Sequence, residues 1–180
     1  MVAGVVRGEA AVSAAPAPTP EPTATPTDAD VALAMGARLI HRTEGCTLAP
    51  QPDTPPHWQI GYGCNYLADG SPVTAATAPL PDIAAAEVLL MAHLIPLAED
   101  VKRELTRPAS VNQLAALYDF AWNLGVGALA GSTMLRLFNA GDPRWTDEFP
   151  KWVYAGGRML PGLVKRRALE RAVALGEITP

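Results

Sequence analysis

The change of hydrophobic period along the chain is the feature that most constrains its fold. In the first half, Val31, Met35 and Leu39 recur at helical spacing and are followed by Gly45, a helix stop signal. Over about 46–78 the helical period disappears, and proline, glycine and short β-type runs such as WQIGYG replace it. The helical period then returns. One helix, a small β lobe and a helical remainder predict an α+β fold with segregated parts.

Capping residues predict where the helices begin. The predicted starts are Thr27 or Asp28, Asp82, Ser110 in a capping box with Gln113, Ser132, Asp142 before Pro143, and Pro161. Gly125 and Gly176 are predicted stops. The second helix, whose leucines continue to Leu105, is long enough to link two lobes and is expected to bend at Pro96.

The ends of the chain differ in composition. Residues 1–27 are rich in Ala, Pro and Thr and cannot bury enough apolar surface to offset the entropy of ordering, so they are predicted to be a disordered tether. Residues 28–180 are predicted to form one domain. No intact signal peptide is expected, because MVAGVV is too short for a secretory apolar core, and no run is long enough for a transmembrane helix.

Charge and cysteine content limit the partners. The formal charge of -4 shows no strong bias, and nucleic acid is not an expected partner. Basic residues are concentrated locally at Lys151, Arg158, Lys165, Arg166, Arg167 and Arg171. They form either a solvated helix surface or a face for an anionic polymer. Two cysteines and three histidines lack zinc spacing, so no metal is expected. Cys46 and Cys64 are equally compatible with a disulfide and with two reduced thiols.

Two acids invite a comparison with glycosidases. Inverting cleavage requires a carboxylic acid and a carboxylate about 6.5 to 9.5 Å apart, with the attacking water held by the carboxylate. Glu44 is predicted in the last turn of a helix, where the dipole disfavours its charged form, as a proton donor requires. Asp53 is predicted in a hydrated, proline-rich loop. Their spacing alone favours two solvated surface acids.

Longer motifs carry a family resemblance. EGCTLAPQPDTPPHWQIGYG resembles the active-site segment of the phage-type lysozymes, the endolysins of glycoside hydrolase family 24. SVNQLAALYDFAWNLGVGALAGSTMLRLFNAGD and FPKWVYAGGRMLPGLVKRRALER resemble that family's later helices. The resemblance runs from about residue 30 to residue 175. It implies a lysozyme-like fold: an N-terminal helix, a small β lobe, a long linking helix and a C-terminal helical bundle, with the cleft between lobes.

The resemblance also implies the catalytic residues. Glu44 would be the acid and Asp53 the carboxylate that positions the water. Gln59 stands where the family has threonine; its amide can both donate to and accept from a water, although it is longer than a hydroxyl side chain. Cys64 stands where the family often has histidine, and Pro55 with Pro56 replaces the usual glycine-containing turn.

Substrate contacts are predicted around this centre. Trp58 and Tyr62 in the β lobe are candidates for lining a saccharide cleft, and Asn123 belongs to the family's Asn-x-Gly pattern near it. Arg166, like Arg167, is a candidate for pairing with Glu44, for meeting the carboxylates of peptidoglycan, or for a structural surface pair. Three further tryptophans fall on helical apolar patterns and are predicted core residues, namely Trp122, Trp145 and Trp152.

The resemblance implies a monomeric endolysin without a cofactor. It would hydrolyse, by inversion, the β-1,4 bond between N-acetylmuramic acid and N-acetylglucosamine. It would stay in the host cytoplasm until a separate membrane lesion, such as a holin pore, released it to the periplasm and cell wall. The departure at Gln59 leaves two alternatives: a lytic transglycosylase acting on the same bond, and an inactive peptidoglycan-binding domain.

Overall fold

The computed structural model describes residues 25–180 and shows a helical fold with a small β lobe. In chain order its elements are α1 (Asp28–Glu44), β1 (Thr47–Pro52), β2 (Trp58–Gly61), α2 (Ile83–Arg103), α3 (Val111–Leu124), α4 (Val126–Ala130), α5 (Thr133–Asn139), a 3-10 helix (Pro143–Lys151), β3 (Tyr154–Ala155), β4 (Arg158–Met159) and α6 (Pro161–Ala174). This order confirms the predicted α+β arrangement. Residues 1–24, the larger part of the predicted tether, lie outside the described residues.

Local capping chemistry sets the helix starts. Thr27 and Ser110 each form the capping box that the sequence indicates, with Asp30 and Gln113 as the reciprocal partners. Asp82, Ser132 and Asp142 also accept hydrogen bonds from the first turns of their helices. Of the two residues proposed as the N-cap of α1, Thr27 is the cap and Asp28 is the first residue of the helix.

Two local predictions differ from the structure, and two short elements were not predicted. Helix α2 continues past Pro96 and ends at Arg103, short of Leu105. The segment after Asp142 is a 3-10 helix, in which Pro150 has no N–H for an α-helical bond to the fourth preceding carbonyl. Helix α4 and the β3–β4 hairpin were not predicted, because each is only a few residues long. These differences lie away from the segment containing Glu44 and Asp53.

The most extensive contact between elements joins α1 to α3. Gly36 makes it possible, since a Cβ placed on it would lie only 3.3 Å from the Cβ of Tyr118. The ring of Phe120 packs edge to face on Phe149 and Trp152. Trp145 is buried and Trp152 is partly buried on the same core, as predicted. The buried helices thereby form one frame for the end of α1.

The β lobe is held against α2 by a cluster of its own. β1 and β2 are antiparallel, and Pro52 pairs with Trp58. Ile60, Cys64 and Val73 pack together with Leu89 of α2. Cys46 and Cys64 are free thiols, which decides between the two possibilities that the sequence left open. In residues 25–180, no helix combines the length and the apolar composition that crossing a bilayer requires.

Candidate active site

Glu44 is the last residue of α1, and its carboxylate meets an arginine. Gly45 ends the helix with φ 70°, a left-handed value that favours glycine. The Glu44 side chain is 23 % exposed, and Arg166 Nη1 donates to its Oε1 at 2.5 Å. The helix dipole, which disfavours charge on Glu44, is only one of the influences on this carboxylate. The arginine acts in the opposite direction, because a neighbouring cation favours the carboxylate.

Gly63 brings Glu44 and Gln59 to one point of the site. Its φ of 84° lies in the left-handed region, where a side chain would be strained. A Cβ on Gly63 would lie 3.5 Å from Glu44 Oε2 and 3.7 Å from Gln59 Oε1. The Glu44 carboxylate and the Gln59 amide oxygen therefore border the same small space, which is left open because Gly63 has no side chain.

Asp53 follows β1 directly and is exposed, as expected for a hydrated carboxylate. Its N–H donates to the carbonyl of His57 at 3.0 Å, which closes the loop before β2. Asn65 Nδ2 donates to Asp53 Oδ2 at 3.4 Å and to the carbonyl of Trp58 at 2.9 Å. Asn65 was not singled out from the sequence, although it comes two residues after Gly63. It ties the loop of Asp53 to the strand that carries Gln59.

Arg166 was predicted to pair with Glu44 or to contact the substrate, and the structure shows the pairing. It is only 5 % exposed and approaches Glu44 from inside the protein. Arg167 is fully buried and donates to Asn123 Oδ1 at 3.0 Å and to Glu170 Oε1 at 2.6 Å. Neither a solvated surface nor a face for an anionic polymer therefore describes these two buried arginines.

The buried pair of Arg167 and Glu170 is electrostatically unusual. Burial, with Asp119 as the next cause, raises the pKa of Glu170 well above its ordinary value of 4.5. Burial also lowers the pKa of Arg167. The guanidinium of Arg167 lies 4.8 Å from the ring centre of Phe120, an interaction that offsets part of its desolvation. Through the hydrogen bond from Arg167, this buried pair holds the side chain of Asn123 in place.

The predicted aromatic contacts occupy different environments. Tyr62 is 7 % exposed, its hydroxyl donates to Glu87 Oε1 at 2.7 Å, and its ring lies 4.4 Å from that of His41. The expectation that Tyr62 lines a saccharide cleft is not met, because these contacts bury it between α1 and α2. Trp58 is half-buried on the β lobe and keeps an exposed part. Trp122 is half-buried: it packs against the core, as predicted, and also lines the cavity between the β lobe and the helices.

Two cavities adjoin this centre. One of about 610 Å³ lies between the end of α1 and the start of α6, and Glu44, Asn123 and Arg166 line it. Another of about 300 Å³ lies between the β lobe and the helices, where Asn65, His93 and Trp122 line it. Among residues 25–180 there is no group of three or more His, Cys, Asp or Glu side chains that could hold a metal ion. The second cavity corresponds to a cleft between the lobes.

A glutamate that ends the first helix, a β lobe with an aspartate and a cleft toward a helical bundle define the class of lysozyme-like folds. The profile described as phage lysozyme matches residues 41–170, and the chain belongs to that family.

Named relatives agree with this assignment. The endolysin of Bacillus phage PZA is 36% identical over 141 residues, which cover 77% of this chain and 52% of the relative. The chain therefore spans about half the length of this relative. The endolysin of Escherichia coli O157:H7 phage FAHEc1 is similar in structure, with a TM-score of 0.72 and 26% identity over 81% of this chain and 94% of the other. The muramidase domain of SpmX from Asticaccaulis excentricus is also similar, with a TM-score of 0.64 and 30% identity. The match covers 81% of this chain and 95% of that domain.

Proposed function

We propose that this chain is an endolysin that hydrolyses the β-1,4 bond between N-acetylmuramic acid and N-acetylglucosamine in bacterial peptidoglycan. The observation that carries the proposal is the convergence of Glu44 and Gln59 over Gly63, beside the loop of Asp53. Relatives named endolysin and a similar structure named muramidase support the same activity. No metal or organic cofactor is required for this reaction.

The proposed mechanism is a single displacement with inversion. Glu44 protonates the leaving oxygen, while Asp53 accepts a proton from a water that attacks the opposite face of the sugar. Gln59 holds that water, since its amide can accept one hydrogen bond and donate another. Trp58, with its exposed part, and Asn123, at the wall of the larger cavity, are the proposed saccharide contacts.

Two alternative functions follow from a single departure from the family pattern. Gln59 is the observation behind both: a longer side chain that displaced the attacking water would let a hydroxyl of the sugar attack instead, as in a lytic transglycosylase. If no nucleophile were held, the chain would bind peptidoglycan without cleaving it. Each alternative predicts a distinct set of products.

The test is digestion of purified peptidoglycan followed by mass spectrometry. Products with reducing ends support the hydrolase, and anhydro sugars would establish the transglycosylase. Co-sedimentation without products would establish a binding domain. Glu44→Gln should abolish cleavage, because the amide cannot supply a proton. Glu99→Gln, which alters an exposed glutamate paired with Lys102 on α2, is the matched control and should cleave at the wild-type rate. More than a tenth of wild-type activity in Glu44→Gln would exclude its role as the acid.

For the cellular setting, we propose a monomer that waits in the host cytoplasm and reaches the periplasm and cell wall through a separate membrane lesion, such as a holin pore. The support is the endolysin family itself. Co-expression with a pore-forming holin should produce lysis, and expression alone should not. Lysis without any pore would contradict this route.

A further inference from the structure

Asp119 is a fully buried carboxylate in the middle of α3. Its two oxygens accept from Arg166, Oδ2 from Nε at 2.9 Å and Oδ1 from Nη2 at 2.8 Å. Thr43 Oγ1 also contacts Oδ1 at 3.3 Å. Such a two-pronged pair fixes both the position and the plane of a guanidinium.

The bond to Glu44 follows from that plane. With Nε and Nη2 of Arg166 directed at Asp119, Nη1 is the nitrogen left for Glu44, and it donates to Oε1. The other oxygen, Oε2, is the one that lies against Gly63 near the amide of Gln59. An oxygen that already accepts a charged donor is the poorer place for a proton. The two carboxyl oxygens of Glu44 are therefore not equivalent.

We propose that Asp119 is a positioning residue for the proton donor. By holding Arg166, it keeps Glu44 Oε1 occupied and leaves Oε2 as the atom that carries and delivers the proton. The inference rests on the proposed function, because it assigns the geometry of the acid in that reaction. Asp119 acts through Arg166 and touches no reacting atom.

Asp119 also sets the charge that Glu44 experiences. The charged and titratable groups around Glu44 are Arg166, Arg167 and Lys165 of α6, Arg42 of α1, Asp119 of α3, Cys64 of the β lobe and Glu170 behind Arg166. Asp119 offsets the positive charge of Arg166. Without it, Arg166 would attract the Glu44 carboxylate uncompensated, and the acid would lose its proton at a lower pH.

The experiment compares Asp119→Asn with Asp147→Asn. Both remove an aspartate charge paired with an arginine of α6, but Asp147 is exposed, pairs with Arg171 and lies outside the site. In Asp119→Asn we expect kcat to fall about 10- to 100-fold with KM within about twofold, because a displaced acid costs rate more than binding. The alkaline limb of the pH profile should move down by about one unit. Asp147→Asn should match the wild type in all three.

A second measurement does not depend on cleavage. The 13C resonance of the Glu44 carboxyl should titrate at lower pH in Asp119→Asn than in the wild type, and at the wild-type pH in Asp147→Asn. If the wild type cleaves nothing, the proposed function fails while this titration still tests the positioning. Asp119→Ser, which removes the same charge with a smaller side chain, should show a shift in the same direction and serves if Asp119→Asn does not fold. An unchanged Glu44 titration in the folded variants would overturn the proposal.

Discussion

At the scale of single residues, Gln59 is the position at which the proposed catalytic site departs from the family pattern. It stands where the family has threonine, and its amide oxygen faces the same space as Glu44 Oε2. A longer side chain holds a water at a different distance from Asp53 than a hydroxyl would. The proposed reaction thus depends on whether the Gln59 amide holds the attacking water as the threonine hydroxyl of the family would.

Substitution of Gln59 measures that task. Gln59→Leu should lower kcat about 100-fold, because an apolar group of similar size cannot hold the water. Gln59→Thr should retain at least a tenth of wild-type kcat. Steady-state cleavage of soluble peptidoglycan fragments checks both, and equal thermal melting points for the two variants serve as the folding control. Wild-type kcat in Gln59→Leu would show that the amide plays no part.

The sequence could predict single residues only where their role is local or shared with a family. Glu44, Asp53 and Gln59 were predicted from an ordered motif, and the structure brings Glu44 and Gln59 together as that motif implies. Asp119 was not predicted, because its partner is 47 residues away and its own neighbourhood reads as an apolar helix. Tyr62 was a candidate for lining a saccharide cleft, because the sequence does not show that Glu87 of α2 accepts a hydrogen bond from its hydroxyl.

At the scale of elements, the approach of α1 to α3 decides where the helix carrying the acid lies. Helix starts were predictable, because a cap such as Thr27 or Ser110 bonds to residues three positions away. The α4 helix and the β3–β4 hairpin were not, because segments this short carry too few residues for a period to show. Packing of one helix on another depends on contacts that no local pattern reports.

Two helical glycines provide a matched test of that packing. Gly127→Ala in α4 has open space around it and should stabilise the protein by up to about 1 kcal/mol through helix propensity. Gly36→Ala gains the same propensity, but its methyl group would press on Tyr118. We expect its free energy of unfolding to fall below that of Gly127→Ala by about 1 to 3 kcal/mol. Urea denaturation of both variants measures this difference in the free energy of unfolding. Equal stabilities would mean that the contact between α1 and α3 can accommodate an additional methyl group.

At the scale of the whole molecule, the β lobe and the helical part meet through Tyr62, His41 and Glu87. The hydroxyl of Tyr62 donates to Glu87, which also lies 3.1 Å from His41 Nε2. The hydrogen bond to Glu87, with burial as the next cause, raises the pKa of Tyr62, so the hydroxyl remains a donor throughout the neutral range. This junction connects α1, α2 and the lobe that carries Gln59.

Tyr62→Phe tests the junction, because it keeps the ring and removes the bond. The free energy of unfolding should fall by about 1.5 to 3 kcal/mol, as for a hydrogen bond to a charged group. Amide hydrogen exchange should accelerate in β1 and β2 more than in α3, since the lobe would open separately from the core. Tyr66→Phe, at an exposed tyrosine, is the control and should change neither. Uniform acceleration in both parts would indicate a single cooperative unit.

The tight contact of Gly36 with Tyr118 fixes the position of α1 on the core. Glu44 lies eight residues further along this helix, about 12 Å along its axis. A tilt of α1 by about 5° at this contact would move the Glu44 carboxylate by about 1 Å, which is enough to lower the rate about 100-fold. Core substitutions distant from the proposed substrate site would therefore abolish the proposed cleavage while the protein remains folded.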